Sequence, residues 1–141
     1  MPTRVSTVPV TNHESVSIES NDDIVRVRQR VRDAAVGLGF SLVDQTKLVT
    51  AASELARNTL VYGLGGTLSI ETLMVERRQG LRLTFEDQGP GIADIPRALT
   101  DGYTTGTGLG LGLSGARRLS QEFEISSRSG EGTRVMIARW K

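Results

Sequence analysis

The spacing of apolar positions changes several times along the chain, and each change marks an element. In residues 15–20, Val16 and Ile18 alternate with polar neighbours, which is the period of a short strand. From Asn21 or Asp22, either of which can cap a helix, the period becomes helical. Ile24, Val27, Val31, Ala35 and Leu38 then share one face until Gly39 ends the run. Ser41 followed by Asp44 opens a second helix in the manner of a capping box. It runs to about Tyr62, presents Leu48, Ala52, Leu55 and Ala56 to a core, and stops at Gly63. Residues 67–76 and 81–86 alternate again as two strands, with Gln79-Gly80 as their hairpin turn. A third helix is predicted over residues 108–119. A closing hairpin follows over residues 123–127 and 133–140, turning at Gly130-Glu131-Gly132.

Strands and helices do not alternate as βαβ units. Hairpins on one side and helices on the other predict an α+β fold, a two-layer sandwich with a mixed, mostly antiparallel sheet and helices on one face. Residues 1–14 are polar, hold Pro2 and Pro9, and read as a flexible tail ahead of one domain over residues 15–141.

Composition narrows the function. Seventeen basic against sixteen acidic residues leave a net charge of +1, so neither nucleic acid nor a membrane surface is expected as a partner. With no cysteine, disulfides, thiolate zinc and thiol catalysis are excluded. The one histidine, His13, falls in the tail and reads as solvated. No apolar run approaches a membrane span and no signal peptide pattern is present, so a cytoplasmic protein is expected.

The candidate chemistry lies in two glycine clusters. The first, Asp87-Gln-Gly-Pro-Gly-Ile92, ends an apolar strand with an acid and two close glycines. In the second, Gly106, Gly108, Gly110 and Gly112 alternate with Thr107, Leu109 and Leu111 and run into a helix. Glycines there expose backbone N–H groups at a helix mouth, an arrangement that binds phosphate. A P-loop is excluded because it needs Gly-Lys-Ser/Thr and the only lysines are Lys47 and Lys141. A dinucleotide fingerprint lacks its preceding strand, since residues 100–105 are polar turn formers. The stretch over residues 93–107, between the clusters, is expected to be a lid that closes over nucleotide. Glu54 and Asn58, four residues apart, share a helix face away from the core. Beside a nucleotide site the Asn58 amide suits Mg²⁺, and Glu54 could accept a proton from an attacking hydroxyl.

Glu54-Leu-Ala-Arg-Asn58, Asp87-Gln-Gly-Pro-Gly91, Gly106-Thr-Gly-Leu-Gly-Leu-Gly-Leu113 and Gly130-Glu-Gly-Thr133 resemble, in order, the four sequence boxes of the GHKL ATPase superfamily. That superfamily includes gyrase B, histidine kinases and the bacterial anti-sigma serine kinases. The resemblance spans residues 15–140 and implies a Bergerat-type fold that uses ATP and Mg²⁺. It implies Glu54 as catalytic base, Asn58 as metal ligand and Asp87 as acceptor of the adenine amino group. Gly91 would let the base approach the backbone, Thr133 would help fix it, and Gly89 would belong to the nucleotide site or serve packing. Gly108, Gly110 and Gly112 would contact the phosphates, with Gly106, Leu109 and Leu111 as further nucleotide-binding positions.

Within the superfamily, the compact length and the SELARN segment (residues 53–58) resemble the stressosome switch serine/threonine kinases. That likeness implies phosphorylation of a STAS-domain partner and activation of a PP2C-type phosphatase. Two alternatives stay open, an anti-sigma factor kinase and a non-catalytic module that sequesters partners when ATP is bound. Anti-sigma kinases usually carry a histidine shortly after the box asparagine, where this chain has Leu60-Val-Tyr62.

Overall fold

The computed structural model describes residues 9–92, 94–99 and 112–141. Their elements are β1 (Val10–Ile18), α1 (Asn21–Gly37), α2 (Leu42–Val61), β2 (Gly66–Val75), β3 (Arg78–Asp87), α3 (Ile95–Ala98), α4 (Gly112–Arg118), β4 (Glu122–Ser127) and β5 (Thr133–Trp140). The five strands form one sheet in the order β1-β2-β3-β5-β4. Every pairing is antiparallel, so the expected sandwich is present but its described sheet is not mixed.

One face of the sheet meets the helices. Val16, Ile18, Leu68, Ile70, Leu81, Leu83, Phe85, Val135 and Ile137 pack with the predicted helix faces Ile24-Val27-Val31-Ala35 and Leu48-Ala52-Leu55-Ala56. β3 is central and its residues 80–85 are buried on both faces. On the opposite face a smaller cluster joins Leu73, Met136 and Ala138 with Val75 and Trp140. Among the described residues no helix is long and apolar enough to cross a membrane.

Helix ends follow local chemistry. Ser20, one residue before the expected caps, opens α1, and the Asp23 carboxylate accepts the Glu19 and Ser20 amides at 2.8 and 3.1 Å. The bond from the Glu19 amide is the main cause that holds the Asp23 carboxyl below its ordinary pKa. The Ser41 hydroxyl caps α2 by accepting the Asp44 amide at 3.1 Å, as predicted.

Three boundaries differ from the sequence expectations. β1 begins at Val10, so residues 10–14, His13 included, belong to the sheet rather than to a tail. Their side chains are mostly exposed and leave no alternating signature; backbone pairing to β2 holds them. The β2–β3 turn is Glu76-Arg77, with φ +56° at Glu76, and not Gln79-Gly80. Gly80 sits inside β3 opposite Trp140, where it serves close packing. Finally, α3 carries Ala98 and Leu99 into the core, so the start of the expected lid is docked; the remainder lies outside the described residues.

A Cβ on Gly80 would lie 2.7 Å from Trp140 Cε3, and that ring is held by Arg78 stacked 5.2 Å from its centre and by Glu122 accepting its N–H at 3.3 Å. Gly80→Ala should therefore cost about 1–3 kcal/mol in denaturant unfolding. Arg77→Ala in the adjacent turn should stay within about 0.5 kcal/mol. Equal stability of Gly80→Ala and the parent would show that Trp140 does not require the glycine.

Candidate functional site

The site is built where the C-terminal turn of α2 meets one end of the sheet. Gly66, Asp87, Thr133 and Ser127 pair in register across β2, β3, β5 and β4. The last three side chains form a polar row on the helix-facing side, because Phe85, Val135 and Ile125 of the same faces pack into the main core. Gly66 lets α2 descend onto this row: a Cβ there would collide with the Glu86 carbonyl and come within 2.7 Å of Thr59 Cγ2.

α2 ends by folding its backbone over Asn58, whose carbonyl accepts both Tyr62 N–H at 2.9 Å and Gly63 N–H at 3.1 Å. Gly63 then lies directly against Asp87, and a side chain at 63 would occupy the space of the Asp87 carboxylate. Gly89 packs on Gly63 from the other side, and its N–H donates to Asp87 Oδ1 at 2.9 Å. The carboxylate is therefore fixed in orientation and only half-buried. At Gly91 φ is +77°, and the missing side chain makes room for the Arg128 carbonyl. The loop that follows Asp87 is tied to the β4–β5 hairpin by Gly130 N–H to the Pro90 carbonyl at 2.6 Å and by Ile92 N–H to Ser127 Oγ at 2.7 Å. A separate cleft of about 390 Å³ lies at this end of the sheet between the β3 and β4–β5 ends; Glu86, Ser126 and Arg134 line it as well as Asp87 and Thr133, and no residue of α2 does.

Asn58 and Glu54 follow from the sheet end along α2. At 1.5 Å per residue they stand roughly 6 and 12 Å along the axis from Tyr62. Both are half-buried, and neither side chain makes a hydrogen bond among the described residues. Gly112, the first residue of α4, adjoins Asn58: a Cβ there would sit 3.9 Å from Asn58 Nδ2. Asp87, Thr133, Asn58, Glu54 and Gly112 are thus brought to one side of the molecule, with Gly89 and Gly91 in its supporting loop. Gly106, Gly108, Leu109, Gly110 and Leu111 lie outside the described residues.

The donor set fits a small hard cation held mainly by a ligand. Among the described residues no cluster of three or more acidic or histidine side chains forms a cage, and Asn58 offers one free amide oxygen. Mg²⁺ is commonly bound in this way, through one or two protein oxygens plus phosphates.

Three supporting residues escaped the sequence analysis. Gly63 reads as a helix stop and Ser127 as an ordinary strand serine; their roles need the register of the sheet. Arg139, mostly buried on β5, donates to Asp44 Oδ1 through Nε at 3.1 Å and Nη2 at 2.9 Å, and to the Leu119 carbonyl through Nη1 at 3.0 Å. It pins the start of α2 to the end of α4.

The family model of histidine kinase-, DNA gyrase B- and HSP90-like ATPases matches residues 43–141. The chain is 46% identical over 125 residues to the serine/threonine-protein kinase RsbT of Bacillus subtilis (strain 168), covering 89% of this chain and 94% of the relative. It is 27% identical over 133 residues to the anti-sigma F factor of Clostridium novyi (strain NT), covering 89% and 90%. Among solved structures, the RsbU and RsbW domains of a Mycobacterium tuberculosis protein match with a TM-score of 0.63 at 18% identity, over 92% of this chain and 32% of that one. The mycobacterial sensor histidine kinase MprB matches with a TM-score of 0.54 at 19% identity, over 92% and 97%. The two structural likenesses are likenesses of fold.

The contact at Gly63 gives a test of whether the Asp87 end of the site takes part in nucleotide binding. Gly63→Ala should displace the Asp87 carboxylate and weaken ATP binding by about 10- to 100-fold, the value of a hydrogen bond to a charged group. Calorimetric titration with ATP, alongside a circular dichroism spectrum, would measure this. An affinity equal to that of the parent would mean that Asp87 does not need to be seated against α2.

Proposed function

The chain belongs to the histidine kinase-, DNA gyrase B- and HSP90-like ATPase family, and from that premise and the order of groups along α2 we infer an ATP- and Mg²⁺-dependent protein serine/threonine kinase that acts as a partner switch. The chain is a homologue of the kinase RsbT. The observation that carries the inference is the sequence of polar groups outward from the sheet end: the fixed carboxylate of Asp87, then the side-chain amide of Asn58 and the carboxylate of Glu54, neither with a hydrogen bond among the described residues. A nucleotide laid along α2 with its base on the sheet would present its phosphates to Asn58 and its terminal phosphoryl group near Glu54.

Asp87, an acceptor when ionised, accepts a hydrogen bond from the 6-amino group of adenine. Gly89 and Gly91 keep the backbone beneath the base low, and Thr133 completes the base end. The amide oxygen of Asn58 would hold Mg²⁺, which would supply charge neutralisation to the phosphates. Gly112, and in the sequence reading Gly106, Gly108, Leu109, Gly110 and Leu111, would contact the phosphate oxygens. Glu54 orients the attacking serine or threonine hydroxyl and accepts its proton as the phosphoryl group transfers.

The substrate in this proposal is a STAS-domain protein, whose phosphorylation frees the kinase to activate a PP2C-type phosphatase. The likeness to RsbT over nearly the whole chain supports it. The anti-sigma F factor relatives favour a second reading, direct capture of a sigma factor, against which stands the absence of histidine at Leu60-Val-Tyr62.

Two substitutions separate the roles on α2. Glu54→Gln should keep Mg²⁺–ATP affinity while transfer to a STAS-domain substrate falls by about 10²–10⁴-fold, the usual contribution of a general base. Asn58→Ala should lose the Mg²⁺-dependent part of ATP affinity. Full transfer by Glu54→Gln in a radiolabelled phosphate assay would remove Glu54 from the mechanism.

A further inference from the structure

Ser127 stands on β4 directly opposite Thr133 of β5, and Thr133 stands opposite Asp87 of β3. The Ser127 hydroxyl has three polar neighbours: the Ile92 N–H at 2.7 Å, the Gly132 carbonyl at 2.8 Å and the Thr133 hydroxyl at 2.7 Å. A serine hydroxyl has one proton and two lone pairs. The Ile92 amide can only donate, so it occupies one lone pair. The Gly132 carbonyl can only accept, so it takes the proton. One lone pair remains for Thr133, and the Thr133 hydroxyl must therefore donate to Ser127. With its proton committed there, the Thr133 oxygen is left with lone pairs alone.

We propose that Ser127 is a positioning residue for base selection, which makes Thr133 an obligate acceptor beside the acceptor Asp87. The proposal rests on the assignment of Asp87 and Thr133 to the base. Two neighbouring acceptors match a purine whose 6-position carries an amino group, because that group has two protons to give, directly or through a water. They oppose a 6-oxo purine, whose oxygen has no proton and would face two further oxygens. A Thr133 hydroxyl free of Ser127 could rotate and donate to that oxygen, leaving Asp87 alone to discriminate. Ser127 thus sets specificity from beneath the site without touching the nucleotide.

The probe pair is ATP and inosine triphosphate, which differ at the 6-position and, with it, at N1, an acceptor in adenine and a protonated donor in hypoxanthine. Calorimetric dissociation constants for the full chain with Mg²⁺ should show ATP bound more tightly. In Ser127→Ala the ratio of the two constants should narrow by about three- to tenfold, the value of one hydrogen bond. Ser127→Thr, which keeps a hydroxyl, should retain the parent ratio. Thr133→Val should narrow the ratio on its own, and adding Ser127→Ala to it should change the ratio no further. Should Ser127→Ala not fold, Ser127→Cys, with its weaker donor and acceptor, should give an intermediate narrowing. A purely structural serine would weaken both nucleotides by the same factor, and an unchanged ratio in Ser127→Ala or Ser127→Cys would overturn the proposal. Equal binding of ATP and inosine triphosphate by the parent chain would instead overturn the base assignment on which it rests.

Discussion

The packing of Gly63 on the Asp87 carboxylate is the contact on which the rest of the site depends. It fixes the end of a 20-residue helix against the end of the central strand, with no side chain between them. Every nearby feature serves that approach. Gly66 removes the Cβ that would hold Thr59 away, Gly89 closes on Gly63 from below, and the Gly89 amide turns the carboxylate to a single orientation. At the far end of α2, Arg139 ties Asp44 to the last carbonyl of the α4 segment. The helix is held at both ends, and the core beneath it does the rest.

A rigid α2 has a consequence for chemistry. Its groups cannot shift independently, so in the proposed reading a base seated at Asp87 would also place the phosphates relative to Asn58 and Glu54. Positioning of this kind is most of what phosphoryl transfer asks of a protein, since the reaction needs little covalent participation. In that reading a base that sat differently would carry the wrong atoms past Glu54, so one element would serve both recognition and catalysis. The polar row across β3, β5 and β4 continues the same packing downward, with the Thr133 hydroxyl hydrogen-bonded to Ser127 at 2.7 Å.

The helices and the central strands were legible because their buried faces repeat with a clear period. Ile24, Val27, Val31 and Ala35 on α1, and Leu48, Ala52, Leu55 and Ala56 on α2, are all in the core. The first half of β1 was not legible, since an edge strand with exposed side chains is held by backbone pairing that leaves no pattern. Gly80 misled for the opposite reason: a glycine before an alternating run signals a turn, yet here it makes room for Trp140, sixty residues later. The candidate site residues stood out by type and spacing, and the structure brings Asp87, Asn58, Glu54, Thr133 and Gly112 to one side. Their supports did not stand out, because Gly63, Ser127 and Arg139 act through register and tertiary contact that no local spacing encodes.

The most direct measurement is a crystal structure of the full chain with Mg²⁺ and a non-hydrolysable ATP analogue. The base should lie at the sheet end with its 6-amino nitrogen about 3 Å from an Asp87 carboxylate oxygen, and Mg²⁺ should be coordinated by the Asn58 amide oxygen. A base seated away from Asp87, or a metal bound without Asn58, would contradict the proposed order of groups along α2.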